Sequence, residues 1–152
     1  ANAGLMLFAI ADIHNSNLFL FVAAYALATI ALVAINSVVN DQSDALANWE
    51  GIAWKNPLIG IALVLALFSL SGIPPLAGFF GKFSLLWSAV PHVPYTAMLA
   101  LIASVIGAFV YLRLLLLALK KPSVTVHVKL SLEQIIVLVL TSVASIGAIY
   151  FI

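Results

Sequence analysis

The chain contains no cysteine. That excludes disulfides, thiolate metal sites and cysteine-held iron–sulfur clusters within it. Charge is almost as scarce: 7% of the 152 residues are Asp, Glu, Lys or Arg, against about 25% in soluble domains. The net charge is +1 and no basic run long enough for nucleic acid occurs. There is no G-x-G-x-x-G, P-loop, nucleophile elbow or H-E-x-x-H, so nucleotide binding and covalent chemistry have no visible apparatus. His14, His92 and His127 fall in predicted loops without metal-ligand spacing, and exposed loop histidine is the default reading of each. A signal peptide is also missing. The chain opens at Ala1 inside an apolar stretch, without Met or a charged leading segment. The expectation is that residue 1 is not the biological start and that helices of the same protein precede it.

What the chain has is apolar side chain: 65% of its residues, with a mean hydropathy of +1.25. A water-soluble fold of this size leaves too much area exposed to hide that fraction. Lipid removes the difficulty, and the fold class that follows is all-α: a single, polytopic transmembrane helix bundle. A hydrocarbon core of ~30 Å needs about 20 apolar residues in helix. Residues 18–39 meet this without a charge, residues 95–119 meet it with Arg113 alone, and residues 133–152 follow Glu133. Residues 1–11 are too short to cross and read as the end of a helix that began earlier.

The stretch 57–90 is different in kind. One helix of this length would extend ~51 Å, well beyond the membrane's need. Near its middle stands Ser71-Gly72-Ile73-Pro74-Pro75. Two consecutive prolines remove two N–H donors, and Pro75 disfavours helical geometry at Pro74. The pattern predicts two half-helices, about 57–72 and 76–90, joined by irregular backbone at membrane depth. Such backbone survives only where protein or a wet cavity covers it. A kink in one continuous helix is the simpler alternative.

Loop charges set the direction. If 57–90 crosses once, loops 40–56 and 120–132 share a side that holds Lys55, Lys120, Lys121 and Lys129. Loops 12–17 and 91–94 hold no Lys or Arg. Positive-inside counting assigns the four-lysine side to the cytoplasm or its equivalent, with Ile152 opposite. Loop 40–56 has room for a short surface helix, with Trp49 and Trp54 at headgroup level.

Lys82, in Phe79-Phe80-Gly81-Lys82-Phe83, lies ~12 Å short of the outer interface by helical rise. Intramembrane charges are costly, usually face the bundle interior and commonly mark ion or proton paths. Discontinuous helices bring free backbone groups and dipole ends to such sites. The alternative is snorkelling, the long side chain lifting its ammonium to water. Arg113 is about six residues from the basic end of its span, so snorkelling is the favoured reading. Because arginine keeps its proton, its candidate functional role is a fixed charge that tunes a neighbouring lysine. Asp12 reads as an interfacial residue beside His14. Tyr25, Thr29, Asn36, Ser37, Ser69, Ser71, Ser104, Tyr111, Thr141, Ser142 and Ser145 are the uncharged polar groups within spans, and the sequence selects none of them for a water chain. Interhelical or local hydrogen bonds account for such groups.

At residues 68–83 the chain reads FSLSGIPPLAGFFGKF. This closely resembles the antiporter-like membrane subunits of respiratory complex I, and among them the subunit N type of NADH–quinone oxidoreductase. Three further stretches agree in order. Ala1–Leu7 is similar to the family's S-x-x-H-x-G-Y-x-L, with Asn2 in the histidine position and Leu5 in the tyrosine position. Asn56-Pro57 opens the broken span, and Ser104–Arg113 is similar to S-x-x-S-x-Y-Y-Y-L-R, with departures that include Gly107 and Phe109. The resemblance implies a C-terminal fragment, roughly the last four and a half of fourteen helices. In it Gly72, Pro74, Pro75, Gly78 and Gly81 form the broken-helix motif, and Lys82 takes the terminal lysine position of a proton channel.

The implied function is proton translocation coupled to quinone reduction elsewhere in the complex, in a bacterial inner membrane or an equivalent energy-transducing membrane. NADH, FMN, iron–sulfur clusters and quinone are then expected in partner subunits, with no cofactor in this chain. The implied partners are other complex I membrane subunits, the lipid bilayer and the preceding helices of the same subunit. A cation/proton antiporter subunit and a structural membrane anchor are the alternatives.

Overall fold

The computed structural model describes residues 2, 4–6, 18–39, 49–121 and 129–147, and these are helical apart from short connections. Asp12, His14, His127, Ile152 and most of the partial span 1–11 lie outside the described residues. The helices are α1 (Leu18–Val39), α2 (Ile52–Lys55), α3 (Pro57–Ser71), α4 (Ala77–Ala89), α5 (Pro94–Leu119) and α6 (Leu132–Gly147). Two of them, α1 and α5, are long and apolar enough to cross a bilayer by themselves, while α3 and α6 are apolar but shorter.

Local chemistry sets most of the boundaries. Asn56 is extended and its side-chain oxygen accepts the Leu58 N–H at 2.9 Å, while Pro57 takes the first helical position of α3. A missing N–H costs nothing at that position. At the start of α6, the Ser131 N–H donates to Gln134 Oε1 at 2.9 Å and the Gln134 N–H donates to Ser131 Oγ at 3.3 Å. This reciprocal capping box satisfies two donors that the first turn leaves open.

α1 packs against α3, α4 and α6, and α3 packs in turn against α5 and α6. The larger core joins Ile35 and Val39 of α1 to Ile59, Leu63 and Leu67 of α3, with Leu115 and Ala118 of α5 and Leu138 of α6. A second core joins Phe21, near the start of α1, to Leu85 of α4. Thus α3 covers the later half of α1 and α4 covers its earlier half. The stretch 57–90 makes one broken crossing, antiparallel to α1.

The segment 49–56 and the end of α5 meet at one end of the bundle. The Gly51 N–H donates to the Leu117 carbonyl at 3.2 Å, and Trp54 Nε1 donates to the Leu119 carbonyl at 2.8 Å. Lys120 pairs with Glu50 at 2.9 Å, and Ser37 receives a hydrogen bond from Gln134 at 3.3 Å. Lys55, Lys120 and Lys121 therefore share an end, as expected from the loop charges.

Candidate functional site

The break occupies Gly72–Leu76. α3 ends in a closed turn in which Ile73 N–H donates to the Phe68 carbonyl at 3.0 Å and Gly72 N–H reaches the Ser69 carbonyl at 3.2 Å. This is the six-to-one, five-to-two pattern of a Schellman cap, and it needs a left-handed residue. Gly72 supplies it with φ of 75°. Pro74 and Pro75, joined by a cis peptide bond, then bring no donor to the turn. α4 begins only after them, at Ala77.

A helix end leaves four carbonyls without intrahelical partners. In α3 the cap closes those of Phe68 and Ser69, and the Leu70 carbonyl is held by the ammonium of Lys82. Lys82 is buried, with 6% of its surface exposed. A cation at a helix C-terminus also meets the negative end of the macrodipole. The ammonium therefore completes the cap of one half-helix from the body of the other. It is not lifted to the outer interface.

The motif glycines make this geometry fit. A Cβ on Gly72 would sit 3.0 Å from Lys82 Cδ and 3.5 Å from its Nζ, so the lysine stem lies directly over the glycine. A Cβ on Gly78 would run into the carbonyl of Ser69, and one on Gly81 would stand 2.9 Å from the Cα of Phe21. The small residues let α4 approach both the end of α3 and the start of α1.

Beside Lys82 lies a partly open cavity of about 270 Å³ between α4 and α5. Most of its wall is apolar. The polar exceptions are Lys82 itself, Ser71 and Ser104, together with the backbone of the break. Both serines are buried, and among the described residues Ser71 Oγ has no hydrogen-bond partner.

Other candidates stand apart. Arg113 is exposed on α5 and lies nine residues beyond Ser104, ~13 Å by helical rise. It does not line the Lys82 cavity, so the structure does not bring the two charges together. His92 is exposed in the turn after α4. Asn2 is buried, and its amide donates to Tyr111 Oη at 3.2 Å. Among the described residues no group of three or more His, Cys, Asp or Glu could hold a metal ion. The Leu70 carbonyl was not visible as a ligand in the sequence, although the double proline announced that carbonyls near it would be open.

Comparison with known proteins places this geometry in a family. Residues 1–107 match the family described as NADH:quinone oxidoreductase/Mrp antiporter, transmembrane. The chain is 38% identical over 131 residues to NADH-quinone oxidoreductase subunit N of Pelobacter propionicus, covering 84% of this chain and 28% of that one. It is 39% identical over 114 residues to subunit N of Cytophaga hutchinsonii, covering 72% of this chain and 25% of the relative. Respiratory complex I from Thermus thermophilus, solved with bound aureothin, contains a chain similar in structure, with a TM-score of 0.85 and 30% identity. That likeness covers 97% of this chain and 35% of the other. The chain thus spans about a quarter to a third of the length of these relatives.

Proposed function

The chain belongs to the NADH:quinone oxidoreductase/Mrp antiporter transmembrane family, and on that premise we propose that it carries protons across the membrane as part of an antiporter-like subunit of NADH–quinone oxidoreductase. Lys82 is the carrier. The observation behind this is the buried ammonium of Lys82 on the Leu70 carbonyl, at a helix end opened by the break. An ammonium in low dielectric can give up a proton when a nearby charge changes, whereas a guanidinium keeps its own. Moving each charge across the membrane costs about 2.3 kcal/mol per 100 mV, which the redox reaction must supply. That reaction belongs to partner subunits, where NADH, FMN, iron–sulfur clusters and quinone are expected. The site residues are Lys82 for the proton, with Gly72, Pro74, Pro75, Gly78 and Gly81 holding the broken helix around it. A bacterial inner membrane is the natural setting for such a complex.

The test is Lys82→Ala and Lys82→Arg in the assembled complex, with quinone reduction and proton uptake recorded together in sealed vesicles. Complex content is normalised first, because alanine also removes packing. The expected result is strongly reduced pumping for alanine, and no recovery of normal proton turnover with arginine. Assembled Lys82→Ala complex that pumps at wild-type stoichiometry would overturn the assignment. Sodium-dependent transport in a particle without flavin or iron–sulfur subunits would place the chain in the antiporter branch of the family instead.

A further inference from the structure

The ammonium of Lys82 has three hydrogens to place. Among the described residues its one acceptor is the Leu70 carbonyl. Leaving two ammonium hydrogens dry in a buried site is costly, since a buried donor without a partner loses its hydration and gains nothing. The cavity next to it offers the remedy. At about 270 Å³ it far exceeds the ~30 Å³ share of one water in the liquid. A buried water also needs two to four polar partners, and an apolar wall alone would stay dry. This wall supplies Lys82 and two hydroxyls, Ser71 from the last turn of α3 and Ser104 from α5. Ser71 is 6% exposed, and its Oγ has no partner among the described residues. A buried hydroxyl on the same cavity wall as the ammonium can hydrogen-bond a water that the ammonium also reaches.

We infer that Ser71, Ser104 and Lys82 form a water-binding site between α4 and α5, in which Ser71 is a positioning residue that sets a water against the Lys82 ammonium. The ligand is water and not an anion, because the Leu70 carbonyl, which holds the ammonium, puts the negative end of α3 at the same place. The step this water supports balances simply. One N–H bond of the ammonium breaks and an O–H bond forms on the water. Lysine is left as a neutral amine, and the excess proton passes along the cavity. Reversed, the same contact reloads the lysine. Ser71 touches the water and acts through it, and its hydroxyl can donate or accept without itself changing charge.

This inference rests on Lys82 being the proton carrier, and the experiment separates the two. The intact complex carrying Ser71→Ala, Ser71→Thr or Ser104→Ala is assembled, normalised for content and assayed in sealed vesicles for protons moved per quinone reduced. The rates are compared in light and heavy water. A high-resolution map of the wild-type and Ser71→Ala complexes is read for density between residues 71 and 82. Loss of one positioning hydrogen bond predicts proton transfer slowed about fivefold in Ser71→Ala, with a larger solvent isotope effect. Ser71→Thr keeps the hydroxyl and restores most of the rate, and ordered density beside Lys82 is lost in the alanine complex alone. If Lys82→Ala stops pumping while Ser71→Ala pumps at the wild-type rate with an unchanged isotope effect, this inference falls and the role of Lys82 stands. If Lys82→Ala pumps normally, both fall. Failure of Ser71→Thr to recover a defect in Ser71→Ala would show a packing role for Ser71 and would also overturn the water site.

Discussion

The broken crossing and the continuous helix beside it use nearly the same amount of helix to opposite ends. α3 and α4 contain 15 and 13 residues, and α5 contains 26. In α5 every interior carbonyl is spent on its own ladder, and much of its surface, from Leu99 and Ile102 through Ile106 and Phe109 to Leu116, faces outward. The interior backbone of an unbroken helix has no free carbonyl to offer a charge. In α3–α4 the five residues of the break turn an interior carbonyl into a terminal one, and the Lys82 ammonium occupies it. The small residues flanking the break then bring α4 close to α3 and α1. The contrast teaches that the lysine's place depends on an interruption of the helix. More polar side chain in an uninterrupted one would not create it.

Adding a single methyl group tests that contrast. The largest effect is expected at Gly78, where the new Cβ has no room against the Ser69 backbone. Gly78→Ala should cost about 3 kcal/mol or more, since backbone cannot move aside as a side chain can. It should appear as poor assembly and a markedly lower thermal inactivation midpoint of the complex. A midpoint equal to wild type would mean that α4 does not approach α3 this closely. Gly72→Ala comes next. A left-handed alanine costs about 1–2 kcal/mol, and its methyl group also crowds the Lys82 stem. This variant should therefore assemble with a smaller loss of thermal stability while pumping less per quinone reduced. A stability loss with fully normal pumping would separate the cap from the proton. The smallest effect belongs to Gly147 at the end of α6, where a Cβ meets nothing within 4 Å among the described residues. Gly147→Ala should change stability by less than about 0.5 kcal/mol. A loss as large as that at Gly72 would show that this end of α6 is covered by another chain or segment.

The same contrast explains how much was legible beforehand. The double proline announced the break because missing donors and a fixed φ act locally, and helices Pro57–Ser71 and Ala77–Ala89 flank it. The lysines of loops 40–56 and 120–132 foretold a common end, which Lys120 and Glu50 share. The acceptor of Lys82 was not legible. The cap closes two of the four open carbonyls, and which of the other two Lys82 meets is decided by the path of the chain after Gly72. Nor did the sequence single out Ser71 and Ser104 from the other span hydroxyls. Thr29 and Thr141 are spent locally, on the Tyr25 and Val137 carbonyls at 2.8 Å each, and only packing separates the two kinds. Arg113 was read one-dimensionally from its depth in the span, whereas its azimuth on α5 leaves it exposed and away from the Lys82 cavity.

The tryptophans add a consequence of a different sort. Trp54 is exposed and bonded to the Leu119 carbonyl at the basic end of the bundle. Trp87 is 69% exposed, stacks on Phe83 and lines a hollow with Pro94 and Ala97 at the start of α5. Measured along α5 from Ala97 to Leu119, the two indoles are ~33 Å apart in height, close to the ~30 Å of bilayer hydrocarbon. Indoles settle at the headgroup boundary, so the molecule carries its own gauge of membrane thickness. A bilayer much thinner than this gauge must thicken around the bundle, tilt it or leave one indole in water.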